Sequence, residues 1–402
     1  MTTTTGRRRG RNRAGRSALA AAAAAIASGA ALAGCGSGSS AASAASPASS
    51  APAPAAASAQ AGSLATSIST AKDSWAIVPM SANPSFWEVF VRPAKSSTWQ
   101  LVTPPGVADN GGLVAASDAG SGLTVAVRPS QDLQFTPVSA TTDSGANWST
   151  DGPISQAVAA SADALAVSGR QLAAVLDNGT VETSSDAGNS WRTLATPSTI
   201  AASATGQKCA AVHVSSVSFG PVATQVLAAG NCGTTGTAGL FSYSAGDGWQ
   251  PVTLPVSGSL VRLGAGTALL RAEGGLTALW ADGGTSSPGS SAAGWTASAA
   301  LPVTNAVTAS GGLAGATSTS AGGMWVLLPG GQAATIGGPG QQWLLLPPTP
   351  ARTSVLASGP GTALDALAVS GAKLTVWQLN RGSTVWAKAQ TISVPIQLGS
   401  SS

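Results

Sequence analysis

Charge is what this 402-residue sequence most lacks: Asp, Glu, Lys and Arg make up 8% of it, against roughly 25% in ordinary globular proteins. It has one histidine (His213), one tyrosine (Tyr243), three cysteines and three glutamates (Glu88, Glu182 and Glu273). Each shortage removes a class of chemistry. One His with so few Cys is too small a ligand set for a metal centre, and no metal or other cofactor is expected. A Ser–His–Asp device would have to use His213, and there is no G-x-S-x-G elbow. The Gly-flanked string from Gly330 to Gly338 opens no helix of the kind a phosphate loop needs, and reads as a hairpin. Outside the N-terminus there is no run of ~20 apolar residues, so no internal membrane span is expected. What the sequence does have is 44% hydrophobic residues, 50 glycines and 12 scattered tryptophans, enough for a core built from short strands.

The formal charge of +4 misleads. Arg7, Arg8, Arg9, Arg11, Arg13 and Arg16 supply six of the 19 basic residues, and no acid precedes Cys35. Without that segment 13 basic side chains face 15 acidic ones, so a nucleic-acid partner is not expected. A basic n-region over 1–16 and a short Ala-rich apolar stretch over 17–34 form a signal-peptide pattern, 1–34, with Sec and twin-arginine export both open. The stretch ends in Leu32-Ala33-Gly34-Cys35, which resembles the bacterial lipobox. That resemblance implies cleavage before Cys35 and a diacylglycerol on its sulfur, two chains giving durable anchoring. The protein is then expected to be exported and held on the outer face of the bacterial cytoplasmic membrane. Residues 35–71, mostly Ala, Ser, Pro and Gly, cannot bury enough surface to offset ordering entropy and read as a disordered tether, with weak strand content near Leu64–Ser69 that could help close the fold. In an oxidising compartment the remaining Cys209 and Cys232 are expected to pair.

The rest of the chain, 72–398, repeats. Trp99, Trp148, Trp191, Trp249, Trp295, Trp343 and Trp386 each follow a Gly/Ser-rich turn and precede a short apolar-to-Pro run. The spacings run from 43 to 58 residues, and a period of about 40–50 with several short strands per unit predicts an all-β propeller. Four-stranded blades are expected, about seven of them, with six or eight possible. Runs such as LTVAVRP and LTVWQLN alternate or are β-branched, as strands are.

Two repeats are sharper. Thr141-Thr142-Asp143-Ser144-Gly145-Ala146-Asn147-Trp148 and Ser184-Ser185-Asp186-Ala187-Gly188-Asn189-Ser190-Trp191 both read S/T-x-D-x-G-x-x-W. This resembles the Asp-box (BNR) repeat of sialidase-like propellers, and a similar architecture occurs in photosystem II assembly factors. In such a turn the Asp accepts backbone N–H bonds, the Gly takes a positive φ and the Trp packs between strands. The role is structural, and no catalytic residue is assigned. A third copy, ending at Trp249, has Ser244 in place of the Asp.

The sialidase resemblance does not extend to chemistry. Tyr243 lies inside the degenerate box, and no Phe-Arg-Ile-Pro motif is present. A glycosidase carboxylate pair would have to assemble across blades. Glu88, Phe90 and Arg92 share one strand face, and Arg262, Arg271 and Glu273 lie close together in the fifth repeat. Each group is either a binding rim or a solvated face. His213 is expected to be structural. The reading that follows is a membrane-anchored, extracytoplasmic propeller lipoprotein that binds or scaffolds a protein without catalysing a reaction. The alternative is a cell-envelope glycan-binding or glycoside-hydrolysing protein.

Overall fold

In the computed structural model the described residues are 66–395, apart from 71, 81–86, 105–111, 118–121, 128–135, 152–161, 203–208, 210–211, 221–223, 234, 282–293, 304–314 and 319–322. The expected signal peptide, the lipobox-like residues (Leu32, Ala33, Gly34), Cys35 and nearly all of the expected tether lie outside them. Among the described residues no helix is long and apolar enough to cross a membrane.

The alternating runs form seven four-stranded antiparallel sheets, each a meander in chain order. Blade one is β1 (Thr66–Ser69), β2 (Asp73–Pro79), β3 (Trp87–Pro93) and β4 (Gln100–Leu101); blade two is β5 (Leu113–Ala116), β6 (Leu123–Val127), β7 (Val138–Thr141) and β8 (Ser149–Asp151). Blade three is β9 (Ala162–Ser168), β10 (Gln171–Leu176), β11 (Val181–Ser184) and β12 (Arg192–Ala195), followed by a short helix, α1 (Pro197–Ala202). Blade four is β13 (Val212–Phe219), β14 (Val226–Cys232), β15 (Ala238–Ser244) and β16 (Gly248–Val252); blade five is β17 (Gly258–Gly264), β18 (Thr267–Ala272), β19 (Gly275–Ala281) and β20 (Trp295–Ala297). Blade six is β21 (Gly315–Ser318), β22 (Met324–Leu327), β23 (Ala333–Ile336) and β24 (Leu344–Leu345); blade seven is β25 (Thr353–Ser358), β26 (Leu364–Ser370), β27 (Lys373–Leu379) and β28 (Ala387–Ser393). The protein is therefore a seven-bladed β-propeller, and the count inferred from tryptophan spacing is correct.

One boundary needs correcting. The expected tether runs to residue 71, but β1 lies inside it and pairs with β2 from Thr66↔Ile77 to Ser69↔Ser74. Blade one begins at Thr66.

Buried apolar side chains fill every seam between neighbouring blades. One cluster holds Val138 and Leu172 of blades two and three, another Val175 and Val217 of three and four, and another Leu327 and Leu356 of six and seven. A single cluster spans blades seven, one and two, so the ring is closed. No sheet mixes strands from the two ends of the chain, so closure rests on side chains rather than on a shared backbone ladder.

The repeat tryptophans show how the seams are held. Trp148 of blade two donates its indole N–H to the carbonyl of Val102, just after β4, at 2.8 Å. Trp343 of blade six donates to Ala299, just after β20, at 3.1 Å. Trp386 of blade seven donates to Pro347, just after β24, at 3.3 Å. Each indole thus reaches the segment that follows the outer strand of the preceding blade. At the closing seam Trp99 of blade one donates instead to the Asp365 carboxylate of blade seven, at 2.8 Å. Asp365 also accepts from Gln378 and lies 3.7 Å from Arg92 Nε. Arg92 in turn donates to Ser74 and to the Ser358 carbonyl.

β1 sits on the axis side of the ring. The Ser67 hydroxyl donates to the Leu356 carbonyl, and Ser69 donates to Ser358, both in β25. Arg262 on β17 donates to Thr66 Oγ1 at 2.7 Å, which joins blades five and one although two blades separate them round the ring.

Candidate ligand-binding groove

The two sharp turns have matching geometry. In the first, Thr141 Oγ1 donates to Asp143 (2.9 Å) and accepts from Gly145 N–H (3.1 Å), while Asp143 accepts from Asn147 N–H (2.9 Å) and Nδ2 (2.7 Å). In the second, Ser184 donates to Asp186 (2.8 Å) and accepts from Gly188 N–H (2.9 Å), while Asp186 accepts from Ser190 N–H (2.9 Å) and Oγ (2.6 Å). Gly145 and Gly188 have φ of 82° and 91°, where a Cβ would be strained. The donated bonds lower both carboxyl pKa values, that of Asp186 to about 2, the hydrogen bonds from Ser190 and then from Ser184 being the cause. These acids stay charged and are occupied in their own turns. Trp191 donates to Gly188 of its own turn rather than to blade two.

Cys209 and Cys232 form a disulfide with Cα atoms 5.0 Å apart. It ties the approach to β13 to the last residue of β14. A Cβ on Gly239 would lie 3.0 and 3.2 Å from the two sulfurs, so a larger residue there would have to push the bridge aside by a few tenths of an ångström.

Of the two groups read as rims or solvated faces, the first is neither. Glu88, Phe90 and Arg92 are all buried. Glu88 accepts from the Thr103 hydroxyl, and Arg92 belongs to the closing seam. Arg262 is half-buried toward Thr66, with its pKa pulled down to about 10 by burial. Of that group only Glu273 is exposed. His213 lies on β13 but is exposed, and its side chain makes no hydrogen bond among the described residues, so it is not the satisfied structural histidine expected. Among the described residues no three His, Cys, Asp or Glu side chains gather where they could hold a metal ion.

The surface feature that stands out lies elsewhere. A groove of about 730 Å³ opens between blades six and seven. Trp325, Leu344, Leu345 and Pro347 line one wall; Leu364, Leu379 and the Asn380–Thr384 turn line the other. Leu344 and Leu345 are 63% and 66% exposed, and Val385, next to the groove, is 71% exposed. No other large apolar side chain among the described residues is as open. The local reason is that β24 is only two residues long and outermost in its sheet, pairing with Ala334 and Thr335 on one side alone. Pro347 and Pro348 then stop the strand, since proline cannot donate to a ladder. Arg381 is the one charged residue in the lining, which holds no carboxylate.

The groove can therefore hold an extended apolar chain, with hydrogen-bonding capacity at an open strand edge and one cation at its rim. It offers no acid–base pair. Sequence reasoning missed it; Leu344-Leu345-Leu346-Pro347-Pro348 was the available signal, read only as the end of a repeat.

No protein-family model and no curated protein matches the chain. Solved structures do. A protein from Lactobacillus plantarum is similar over 81% of this chain and 97% of its own, with 12% identity and a TM-score of 0.52. YCF48 from Cyanidioschyzon merolae is similar over 79% of this chain and 94% of its own, with 14% identity and a TM-score of 0.46. A GH74 xyloglucanase from Xanthomonas campestris is similar over 79% of this chain and 52% of its own, with 16% identity and a TM-score of 0.48. At such identities the likeness is one of fold alone.

Proposed function

We propose that this chain is an exported lipoprotein, anchored through a lipid on Cys35 to the outer face of the cytoplasmic membrane. Its propeller, with two Asp-box turns, binds a protein partner and catalyses no reaction. The observation that carries the reading is the groove between blades six and seven, where the most exposed apolar side chains among the described residues line or flank one cleft. Exposed apolar surface gathered in a cleft marks a binding site more often than scattered exposure does. The tether over 36–65 gives the propeller reach from the membrane. The alternative of glycoside hydrolysis would require a pair of carboxyl groups facing a cleft, and this cleft holds none.

A photo-crosslinking amino acid at Leu345 tests the reading in the producing cell, with the same label at the exposed Lys373 as control. The expected result is a discrete protein adduct at 345, absent at 373 and abolished by Leu344→Asp. Equal labelling at both positions would overturn it. For anchoring, Cys35→Ala is expected to release the protein from the membrane fraction; unchanged retention would refute a lipid at that position.

A further inference from the structure

The groove between blades six and seven lies on the cationic side of the ring. Among the described residues, Lys72, Lys95, Arg352, Lys373, Arg381 and Lys388 are exposed on or beside blades one and seven, neighbours at the closing seam. Elsewhere the exposed cations among the described residues are Arg170 and Arg192. The described acids of those two blades, Asp73, Glu88 and Asp365, are buried. They are taken up by Ser144, by Thr103, and by Trp99 and Gln378. The exposed carboxylates Asp143, Asp177, Asp247 and Glu273 stand on blades two to five. The ring is thus electrically polarised, although beyond Cys35 the chain carries 13 basic and 15 acidic side chains.

Register brings two of these cations to the groove. Arg381 is in its lining, on the turn from β27 to β28. Lys388 on β28 is opposite Trp377 on β27. Leu379, two residues along β27, shares that face and lines the groove. On the other wall Trp325, Thr335 and Leu344 form one cross-strand row. Neither Arg381 nor Lys388 forms an ion pair among the described residues. Water satisfies an exposed cation but not an exposed leucine. Covering the leucines supplies affinity, and the charge selects which chain covers them.

We infer that the groove takes an extended protein segment in which apolar residues adjoin acidic ones. The inference rests on the reading of this groove as a docking site and adds the chemistry of its occupant. The segment's apolar side chains cover Leu344 and Leu379, and its carboxylates lie against Arg381 and Lys388. A basic segment would enter the field of the cations on blades one and seven and be repelled. A bilayer surface, being flat, would reach Val385 but not Leu379, which is 7% exposed; a chain can enter the cleft.

The test is fluorescence anisotropy with a chain starting at residue 36, which keeps all seven blades and omits the arginine-rich N-terminus. The probes are amidated peptides: leucines followed by glutamates, the same leucines followed by lysines, and serines followed by glutamates. A Kd of ~100 µM is expected for the first, with the other two at least ~10-fold weaker. Arg381→Glu is expected to weaken the first probe ~10-fold and Lys388→Glu ~3-fold, each with an unchanged thermal midpoint. Lys373→Glu, on the same blade but outside the groove, is expected to change it less than ~2-fold, because salt screens distant charges. No saturable binding of the leucine–glutamate probe, equal binding of the leucine–lysine probe, or an equal loss with Lys373→Glu would each overturn the inference. So would sedimentation with phosphatidylglycerol vesicles in place of probe binding, which would assign the surface to a membrane. A partner crosslinked at Leu345 whose contact segment lacks acidic residues would sink this inference and leave the docking reading standing.

Discussion

Glu182→Gln isolates one buried carboxyl and turns its burial into a measurable pH dependence. Glu182 is 8% exposed, and its Oε2 has no hydrogen-bond partner. In register it lies opposite Ala174, which packs with Ala126 and Val138 of blade two. Desolvation raises its pKa from 4.5 to about 7. The folded state thus holds a proton that the unfolded chain gives up above 4.5. Stability from this group is full below pH 4.5, falls as pH rises through 7, and stays reduced above. At about 1.4 kcal/mol per pKa unit, the loss has a ceiling of about 3 kcal/mol. Asp73, Glu88 and Asp365 are shifted the same way by burial, and Asp143 and Asp186 the opposite way, so the wild-type profile alone is not diagnostic. The difference between wild type and Glu182→Gln is. Gln keeps the shape and adds only a pH-independent offset. Urea midpoints followed by tryptophan fluorescence at pH 4 to 8 are expected to show the variant gaining on wild type by about 2–3 kcal/mol across that range. A difference that stays flat from pH 4 to 8 would refute the reasoning, because it would mean that Glu182 ionises in the folded protein as it does in water.

Three further outcomes are expected. Asp365→Ala leaves the Arg92 guanidinium buried without its anion and costs about 3–5 kcal/mol in urea unfolding; adding Arg92→Met recovers part of the loss, whereas strictly additive losses would argue against a coupled seam. Trp148→Phe removes the donor to Val102 and costs about 1 kcal/mol beyond its lost volume. The same change at Trp249, whose indole N–H is buried without a partner, costs less, and a reversed order in thermal unfolding would refute the latch. Replacing Cys209 and Cys232 together by Ser opens a 23-residue separation and lowers stability by about 3 kcal/mol, checked by urea unfolding against wild type with and without reductant.

The tryptophan repeat made the fold legible because a blade cannot bury its faces alone and must repeat the device that joins it to its neighbour. The spacing of the seven repeat tryptophans reports where those joins fall, and Trp148, Trp343, Trp386 and Trp99 show what four of them do. The first strand was legible only as weak strand content near Leu64–Ser69. In Thr66-Ser67-Ile68-Ser69 only Ile68 is apolar, so composition assigns the segment to the tether. It is held instead by hydroxyls, Ser67 on Leu356 and Ser69 on Ser358, and by the β2 ladder. Such partners are remote in sequence and leave no local pattern.

The candidate sites were less legible than the fold because they depend on which seam stays open. Leu344-Leu345-Leu346 has the composition of a buried strand, and Glu88, Phe90 and Arg92 have the alternation of a half-exposed one. The structure reverses both. An outer strand of two residues cannot hide its leucines. At the closing seam, by contrast, Arg92 is drawn inward by Asp365, which Trp99 also contacts. Burial in a propeller is set by the neighbouring blade more than by the strand's own pattern. A charged side chain can therefore lie inside where a partner some 270 residues away supplies its counter-charge. Leucines stay outside where the neighbouring blade leaves a cleft, and that asymmetry is what leaves an open apolar groove between blades six and seven.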